Sequence, residues 1–406
     1  MTTGVYAAPA QHSLTRPTVA EVFLHAAAQI HQAAADLWPG EPVLLDRHVP
    51  SVTGYVHRVR VGDRTVYAKT SILGVSLVSL LRGTRGPWPA VCQAQQEYAQ
   101  RPDALLAREA TQLRVLAGLD GPRVCKVVGI RDGVIFTEAV PGPTLGELLL
   151  ARPGEARELL ERPLAELRPL YRPGAARRLG AAGVIGERSI DGTFLRKFTG
   201  PEGAAYVDQL GAERCPGQRE EIAEMVRASV RRLQGLRAML PSVMGTTLAY
   251  GDLKPEHIAF PDGPDGRPVF LDPGMVRASP MVDMAKLLSR TVLVPIARRP
   301  NPETAGLVVD GLALVARSRA GGMSVRERRA WLRHLLVLWL MDTLNILTTY
   351  LSAPAALPLP GLGLALVERA VPVCRLVDAV SADLLDPLLC RGRGERTLDR
   401  IVEVVA

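Results

Sequence analysis

The pattern of apolar positions near the start of the chain predicts one helix followed by short strands. Helical spacing runs through EVFLHAAAQIHQAAADLW, and residues 1 to about 18 precede it as a loose tail. β-Prone segments follow in two pairs, joined by Gly62-Asp63 and by Asp132-Gly133, which are strong hairpin signals. Two successive hairpins predict an antiparallel sheet.

A long helix is predicted between the two hairpins, where PDALLAREATQLRVLAGLDGP has apolar residues at helical spacing. Beyond residue 140 the pattern is almost wholly helical. The exception is LAYGDLKPEHIAFPDGPDGRPVFLDPG, whose short apolar runs around a turn-rich middle predict a loop followed by a β-hairpin. The expected fold class is therefore α+β. We expect an N-terminal tail and helix over residues 1–40, a small sheet lobe over 41–140 and a mostly helical lobe over 141–406.

The composition is typical of a folded protein with a modest positive charge. Hydrophobic residues make up 47% of the 406 residues, which excludes disorder as the main state. The net charge of +8 suits an anionic ligand, but aromatic residues are only 4% and no basic run is interleaved with them, so no nucleic-acid partner is expected. The five cysteines form no CxxC pair, which argues against a disulfide framework or a zinc site.

Targeting and membrane signals are weak along the sequence. The N-terminal residues lack the basic segment and apolar core of a signal peptide. The longest apolar stretch, LLVLWLMDTLNILTTYL, contains Asp342 and Asn345 and falls short of a comfortable membrane span, so it predicts a buried helix. We therefore expect a cytoplasmic protein without a membrane partner.

Two acidic residues twenty positions apart are the sharpest candidates for chemistry. Asp252 lies in YGDLKPEH, in a loop that leaves an apolar run, and Asp272 ends a short predicted strand in VFLDPG. A hairpin between them would bring both carboxylates to one point. Phosphoryl transfer requires that arrangement, because one carboxylate orients the attacking hydroxyl and accepts its proton while the other holds a metal ion against the phosphates.

At these residues the sequence resembles the protein-kinase-like superfamily, and most closely its aminoglycoside phosphotransferase (choline kinase-like) branch. That branch has a catalytic loop of the form H-G-D-x-x-x-x-N and an I/L-D metal motif further along the chain. The resemblance implies a bilobal protein-kinase-like fold, with Asp252 as the catalytic base and Asp272 as the principal metal ligand. Tyr250 replaces the first histidine of the family, at a position that mainly supports the loop.

His257 stands where the family has asparagine, its second metal ligand. An imidazole is a softer ligand than an amide oxygen and suits Mn²⁺ better than Mg²⁺. Two interpretations stay open. Either His257 ligates the metal, or it only supports the loop and one metal ion is held firmly.

Two more residues of the catalytic segment match known patterns. Lys254 falls where serine/threonine protein kinases have a lysine that neutralises the transferred phosphoryl group, which favours a serine or threonine hydroxyl as acceptor. Asp283, in SPMVDMAKLL, matches the aspartate of the family's D-L-A segment. The resemblance implies that Asp283 braces the catalytic loop through backbone hydrogen bonds. Without that match it would be an ordinary exposed acid at a helix start.

The first lobe contains the expected nucleotide-binding pair. Lys69, in VYAKT, lies on a predicted strand and resembles the lysine that grips the α- and β-phosphates. Glu109, in LLAREATQLRVL, resembles the helix glutamate that pairs with this lysine. Glu97 competes for the pairing role but lies in a more polar stretch, so Glu109 is preferred.

The remaining nucleotide contacts are weaker in the sequence. The phosphate-covering loop, VPSVTGYVHRV, has the single Gly54 in place of a glycine-rich motif, and Ser51 or Thr53 would donate hydrogen bonds to phosphate. Backbone groups near Glu138 and Val140 would meet the adenine edge at the linker between lobes. An ordinary strand end followed by a Pro-Gly turn is the alternative interpretation of that linker.

Two segments are long for the family. Residues 71–104 begin with an apolar helical stretch followed by Arg82, Arg85 and Trp88. They form either a docking surface or a helix that covers the small sheet. Residues 151–241 lengthen the part of the helical lobe where substrate-binding elements commonly lie in this family.

The resemblance implies an ATP- or GTP-dependent kinase that uses Mg²⁺ or Mn²⁺ and phosphorylates a hydroxyl of a small molecule, such as an antibiotic or a natural-product intermediate. The first alternative is a kinase that phosphorylates Ser or Thr of a biosynthetic precursor peptide, ahead of dehydration by a partner lyase. The second alternative is a nucleotide-binding pseudokinase that serves as a scaffold. The net charge of +8 counts mildly against a polycationic acceptor.

Overall fold

The sheet of the first lobe has five antiparallel strands, in the spatial order Val43–Val49, Tyr55–Val61, Arg64–Thr70, Val134–Glu138 and Val127–Arg131. The computed structural model describes residues 16–180, 189–241 and 247–385, together with 397, 400, 401 and 404. Within these residues the strands are β1 (Val43–Val49), β2 (Tyr55–Val61), β3 (Arg64–Thr70), β4 (Arg123–Val124), β5 (Val127–Arg131), β6 (Val134–Glu138), β7 (Leu248–Ala249), β8 (Ile258–Ala259), β9 (Val269–Phe270) and β10 (Val276–Arg277).

Helices make up most of the second lobe and flank the sheet of the first. They are α1 (Val19–Leu37), α2 (Leu77–Leu81), α3 (Trp88–Ala99), α4 (Leu105–Ala117), α5 (Leu145–Ala151), α6 (Ala156–Glu166), α7 (Ala175–Gly180), α8 (Ile190–Phe198), α9 (Gly200–Asp208), α10 (Arg219–Ala238), α11 (Met281–Arg298), α12 (Pro302–Arg319), α13 (Val325–Leu351), α14 (Gly361–Glu368) and α15 (Ala370–Asp383). The tail predicted before α1 lies mostly outside the described residues.

Both predicted hairpins are present. The β2–β3 and β5–β6 pairs are antiparallel, and the turn of the second pair places Asp132 and Gly133 at φ 47° and 76°, as a tight hairpin turn requires. Side chains alternate across this sheet, because successive residues of a strand face opposite sides. Phe136 therefore packs against α1, while Ile135 packs against α4.

The sequence did not indicate how residues 71–104 pack. The apolar residues of α2 belong to the same hydrophobic cluster as the core of the helical lobe, and the guanidinium of Arg82 lies 4.7 Å from the ring centroid of Tyr206 on α9. The backbone N–H of Val78 also donates to the carbonyl of Val52 in the phosphate-covering loop. This segment thus connects the two lobes, whereas the sequence had suggested a docking surface or a cover for the sheet.

The longest helix, α13, forms the centre of the second lobe, where it packs against α8, α11 and α14. Among the described residues it is the one helix long and apolar enough to cross a membrane, which is weak evidence by itself. Of its most apolar stretch, 83% is buried inside the protein, as expected for a core helix. Asp342 and Asn345 are buried within it.

A loop and a short hairpin lie within the helical lobe, as the sequence predicted. Strands β8 and β9 are antiparallel, and β4, which follows α4, adds to β9 in parallel. The α+β class, with a sheet lobe and a mostly helical lobe, is therefore confirmed. The cysteines within the described residues, Cys92, Cys125, Cys215 and Cys374, are all free, and Cys390 lies outside those residues.

Candidate functional site

A buried carboxylate holds the loop before Asp252 in place. Asp283, at the start of α11, accepts hydrogen bonds from the backbone N–H groups of Tyr250 and Gly251, both at 2.7 Å. The hydroxyl of Tyr171 donates to the same carboxylate at 3.1 Å. Burial raises the pKa of Asp283 to about 6, although these hydrogen bonds lower it. The structure thus puts Asp283 where the sequence expects a brace.

Tyr250 connects this loop to the second acidic motif. Its ring is fully buried, and its hydroxyl donates to the carbonyl oxygen of Leu271 at 2.7 Å. Leu271 directly precedes Asp272, which has a φ of 49°. A left-handed backbone at a residue other than glycine is strained and persists only where the surroundings impose it. The contact from Tyr250 is one such constraint.

The two motif carboxylates lie on either side of one imidazole. Nδ1 of His257 is 4.0 Å from Oδ2 of Asp252, and Nε2 of His257 is 3.7 Å from Oδ2 of Asp272. Nδ1 is buried and has no hydrogen-bond partner among the described residues. The loop and hairpin therefore bring Asp252, His257 and Asp272 into one cluster.

The lysines around Asp252 control its charge. Nζ of Lys254 lies 2.6 Å from Oδ2 of Asp252, and Nζ of Lys286 lies 3.6 Å from Oδ1. Burial by itself would raise the pKa of Asp252, but these two ammonium groups and His257 hold it well below its usual range. Asp252 is consequently ionised at neutral pH.

His257 and Asp272 also have altered pKa values. Burial lowers the pKa of His257, and the ammonium of Lys254 adds to that effect, so the imidazole is neutral at neutral pH. Burial would raise the pKa of Asp272, but Lys69 and His257 outweigh it and lower the pKa. A neutral imidazole nitrogen and an ionised carboxylate side by side can both act as ligands of a divalent cation.

Lys69 of β3 and Glu109 of α4 form an ion pair between the strand and the helix. Nζ of Lys69 lies 2.8 Å and 3.0 Å from the two carboxylate oxygens of Glu109, and 3.4 Å from Oδ1 of Asp272. Burial raises the pKa of Glu109 to about 7, while Lys69 opposes that shift. Glu97, the competing residue, is exposed on α3.

The phosphate-covering loop lies next to Lys69. A Cβ added to Gly54 would lie 3.1 Å from the carbonyl oxygen of Thr70 and 3.9 Å from Cε of Lys69, so the glycine permits this close approach. The hydroxyl of Ser51 accepts hydrogen bonds from the backbone N–H groups of Thr53 and Gly54 and contacts the Thr53 hydroxyl. These internal contacts already occupy the backbone N–H groups of Thr53 and Gly54 in this loop.

The linker between lobes follows β6. The backbone N–H of Glu138 donates to the carbonyl of Lys126, and its carboxylate accepts from the Lys126 N–H. The Glu138 N–H is therefore occupied, which leaves its carbonyl and the backbone of Val140 for an adenine edge. A cavity of about 470 Å³ lies against Glu138 and Val140, but Arg123 and Arg267 line it and Lys69 does not.

A metal would be held by few protein groups in this site. In the described part of the chain, no group of three or more His, Cys, Asp or Glu side chains could hold a metal ion by itself. Magnesium sites in kinases need only one or two carboxylates, since the nucleotide phosphates supply further oxygens. Asp272 and Nε2 of His257, which lies 3.7 Å from Oδ2 of Asp272, fit that kind of site.

Several residues around this site were missed in the sequence. Lys286 and Arg290 lie one turn apart on α11 and both contact the buried carboxylate of Asp342 on α13. Tyr171 was missed as well, because a tyrosine in an arginine-rich helical segment has no distinctive pattern. Asp342 did carry a signal, since an acid in an otherwise apolar helix needs a buried partner.

The fold and this cluster have the arrangement that the resemblance to protein-kinase-like enzymes implies. A sheet lobe carries a lysine paired to a helix glutamate, and a helical lobe carries a loop aspartate and a strand-end aspartate that face the same space. The protein-kinase-like fold that the sequence implied is therefore confirmed.

Comparison with known proteins gives similarity in fold. No family profile matches the sequence, and no curated protein matches it. The structure is similar to the GDP and kanamycin complex of APH(2″)-IIia, with 14% identity, 84% of this chain and 97% of that chain covered, and a TM-score of 0.49. It is also similar to an ethanolamine kinase of Plasmodium vivax, with 10% identity, 81% and 83% covered, and a TM-score of 0.43. The general course of the chain is what is shared at these values.

Proposed function

We propose that this chain is a kinase that transfers the γ-phosphoryl group of ATP or GTP to the hydroxyl of an acceptor. The observation that carries the proposal is the convergence of Asp252 and Asp272 around His257, with Lys69 in contact with both Glu109 and Asp272. Those groups form the set that phosphoryl transfer requires: a carboxylate for the nucleophile, a carboxylate for the metal and a cation for the phosphates.

Asp252 acts on the acceptor. Its carboxylate is ionised, so it accepts a hydrogen bond from the acceptor hydroxyl and holds the oxygen in line with the γ-phosphorus. As the new O–P bond forms and the bond to the leaving diphosphate breaks, the hydroxyl proton passes to Asp252. Lys254, 2.6 Å from that carboxylate, is placed to neutralise charge on the transferred phosphoryl group.

The first lobe holds the nucleotide. Lys69 contacts the α- and β-phosphates, and Glu109 fixes the orientation of the lysine side chain. The loop with Ser51 and Gly54 covers the phosphates, and the carbonyl of Glu138 and the backbone N–H of Val140 meet the adenine edge.

A divalent cation, Mg²⁺ or Mn²⁺, would be held by Asp272 and His257. The ion supplies positive charge that offsets the charge developing on the phosphates. Lys69, beside Asp272, keeps that carboxylate ionised and so ready to bind the ion.

The acceptor is a hydroxyl of a small molecule, such as an antibiotic or a natural-product intermediate. A second candidate acceptor is the Ser or Thr hydroxyl of a precursor peptide that a partner lyase then dehydrates, because Lys254 stands where serine/threonine protein kinases have a lysine and lies 2.6 Å from Asp252. The two acceptors require the same atoms at Asp252, so direct assay must separate them.

Mass spectrometry of the enzyme with ATP or GTP, Mg²⁺ or Mn²⁺, and pools of hydroxylated small molecules and Ser/Thr-containing precursor peptides tests this proposal. A gain of one phosphate is expected, and Asp252→Asn should reduce its rate by about 100- to 10,000-fold while nucleotide still raises the Tm. Asp310→Asn is the matched control, because it makes the same substitution at an exposed position on α12. Full activity of Asp252→Asn contradicts the role proposed for Asp252, whereas no phosphate gain in either pool contradicts the kinase function and favours a scaffold.

A further inference from the structure

A second charged cluster lies directly behind Asp252. Nζ of Lys286 lies 2.7 Å from Oδ1 of Asp342, and Nε of Arg290 lies 3.0 Å from Oδ2 of the same carboxylate. Asp342 is 1% exposed, so both cations meet it away from water. Lys286 also lies 3.6 Å from Oδ1 of Asp252, which places the cluster beside the proposed acceptor hydroxyl.

Arg290 leaves most of its donors unused. The side chain is 4% exposed, and among the described residues its only hydrogen bond runs from Nε to Asp342. An arginine that serves a carboxylate alone usually binds it through two parallel N–H donors. Here Asp342 instead receives one donor from Arg290 and one from Lys286, and the two Nη groups of Arg290 have no hydrogen-bond acceptor within the described part of the chain.

Tyr350 lies in the same neighbourhood. It is 5% exposed, and its strongest electrostatic neighbours are Arg290, Glu256 and Lys254. Its hydroxyl forms no hydrogen bond to any residue that the structure describes, although a phenol hydroxyl that is buried normally has a partner. Arg290 and Tyr350 thus present unpaired donors beside the acceptor end of the site.

Further charged side chains surround this end of the site. Arg290 and Asp252 each interact electrostatically with several members of a group of charged side chains that all lie around this end of the site. Its cations are Lys197, Lys254, Lys286 and Arg290, and its carboxylates are Asp252, Glu256, Asp272 and Asp342. Four cations face four carboxylates, so these charges balance, and what distinguishes Arg290 is its unpaired Nη donors.

A purely structural role accounts for only part of this arrangement. A buried carboxylate needs a cation, and one of the two would neutralise Asp342. Lys286 also neutralises Asp252, but the Nη groups of Arg290 have no acceptor among the described residues, although the side chain is 4% exposed. An anionic ligand group would supply acceptors for those donors.

We propose that Arg290, Lys286 and Tyr350 form a subsite for an anionic group, a carboxylate or a phosphate, on the acceptor molecule. The inference rests on the proposed kinase function and specifies its acceptor class: a hydroxyl compound that carries a negative charge close to the reacting hydroxyl. Asp342 positions the two cations, and the Nη groups of Arg290 bind the anionic group.

Matched probes that differ in charge test this subsite. The ADP-loaded protein is titrated by calorimetry with N-acetylserine against N-acetylserinamide, and with glycerol 3-phosphate against glycerol. In at least one pair, we expect the anionic probe to bind about tenfold or more tightly than the neutral one, as a charge-assisted bidentate contact allows. The pair that shows this difference tells whether the subsite prefers a carboxylate or a phosphate. Equal binding within both pairs, or tighter binding of the polycation kanamycin, overturns the inference.

Arg290→Lys is the decisive variant, because it keeps a cation near Asp342 but removes the fork of Nη donors. In this variant the anionic probe should bind at most about threefold more tightly than its neutral counterpart, so that the anionic-to-neutral affinity ratio falls. A structural defect would weaken both members of a pair alike and leave the ratio unchanged, which would also overturn the inference. Arg298→Lys, exposed on the same helix, is the control and should keep the ratio of the unaltered chain.

Tyr350→Phe provides a second variant that keeps the packing of α13, in case Arg290→Lys does not fold. It should lower the same ratio. The proposed kinase function fails separately: if ADP does not raise the Tm and no acceptor gains phosphate, that function is wrong, whereas the anion preference and its loss in Arg290→Lys still decide the subsite.

Discussion

Gly251 and Gly274 lie in backbone contact, and a Cβ added to Gly251 would overlap the carbonyl oxygen of Gly274. Gly251 precedes Asp252 and has a φ of 87°, a conformation that side chains disfavour. Gly274 follows Asp272 by two residues, and its N–H donates to the carbonyl of Tyr250 at 3.0 Å. The two acidic motifs are thus held together through glycine backbones.

Gly251→Ala tests this contact. We expect it to destabilise the fold by about 2 kcal/mol or more and to abolish activity, because both the positive φ and the contact with Gly274 oppose a side chain. Gly235→Ala is the control, since Gly235 is exposed within α10 and an added Cβ meets nothing within 4 Å. That control should raise the free energy of unfolding by roughly 0.5–1 kcal/mol. Urea denaturation of both variants measures the difference.

The ion pair between Lys69 and Glu109 predicts that replacing Glu109 impairs activity more than replacing Glu97. Glu109→Gln removes the charge that holds Lys69, and we expect a loss of about 10- to 100-fold in kcat/KM for the nucleotide. Glu97→Gln, on the exposed face of α3, should leave kcat/KM unchanged. Steady-state kinetics with varied ATP measures both. Equal losses in the two variants would argue that Glu109 has no special role.

The raised pKa of Asp283 predicts that the free energy of unfolding depends on pH through this residue. Its pKa in the folded chain is about 6, above its ordinary value of 3.8, so the folded state binds the proton more tightly. This contribution is complete below the unfolded pKa and is lost as the pH rises through 6. The difference in unfolding free energy between the unaltered chain and Asp283→Asn should therefore be larger at pH 4.5 than at pH 7, by about 1–3 kcal/mol.

Thermal or urea unfolding over this pH range provides the measurement. Other carboxylates, such as Asp252, are present in both chains, so their contributions cancel in the difference. Asp310→Asn should follow the unaltered chain at every pH. A difference between the unaltered chain and Asp283→Asn that is constant with pH would mean that Asp283 titrates normally.

The imidazole of His257 predicts how the enzyme chooses between Mn²⁺ and Mg²⁺. If it ligates the ion, His257→Asn should favour Mg²⁺ over Mn²⁺ more than the unaltered enzyme does, since an amide oxygen replaces a softer nitrogen. The Mn²⁺-to-Mg²⁺ activity ratio should fall by roughly tenfold. His31→Asn, exposed on α1, is the matched control. An unchanged ratio in His257→Asn would assign His257 to loop support, and removal of metal by EDTA should stop transfer in every variant.

Local sequence signals were sufficient for the elements that depend on near neighbours. The Asp132-Gly133 turn requires two residues that tolerate positive φ, and both have it. The helix around Glu109 follows from apolar spacing over thirteen residues. The loop around Asp252 and the hairpin that leads to Asp272 were likewise predicted, because turn residues and short apolar runs alternate there.

Long-range packing was beyond the sequence pattern. The apolar run of α2 indicated a buried helix, but its place between the lobes depends on contacts with the distant α9, such as that of Arg82 with Tyr206. The pairing of β4 with β9 joins two-residue strands from different lobes, and two residues carry no periodicity. Short elements of this kind form because the neighbouring structure offers them hydrogen-bond partners.

The sequence by itself determined the α+β class, the order of the two lobes and the identity of the candidate acidic motifs, because turn chemistry and periodicity act over a few residues. Only the tertiary structure decided that Lys286 and Arg290 share the carboxylate of Asp342 beside Asp252. The acid within an apolar helix signalled that a cation must be near. Which cation, and which of its donors stay unpaired, depends on how α11 and α13 pack, and that packing arises from the whole hydrophobic core.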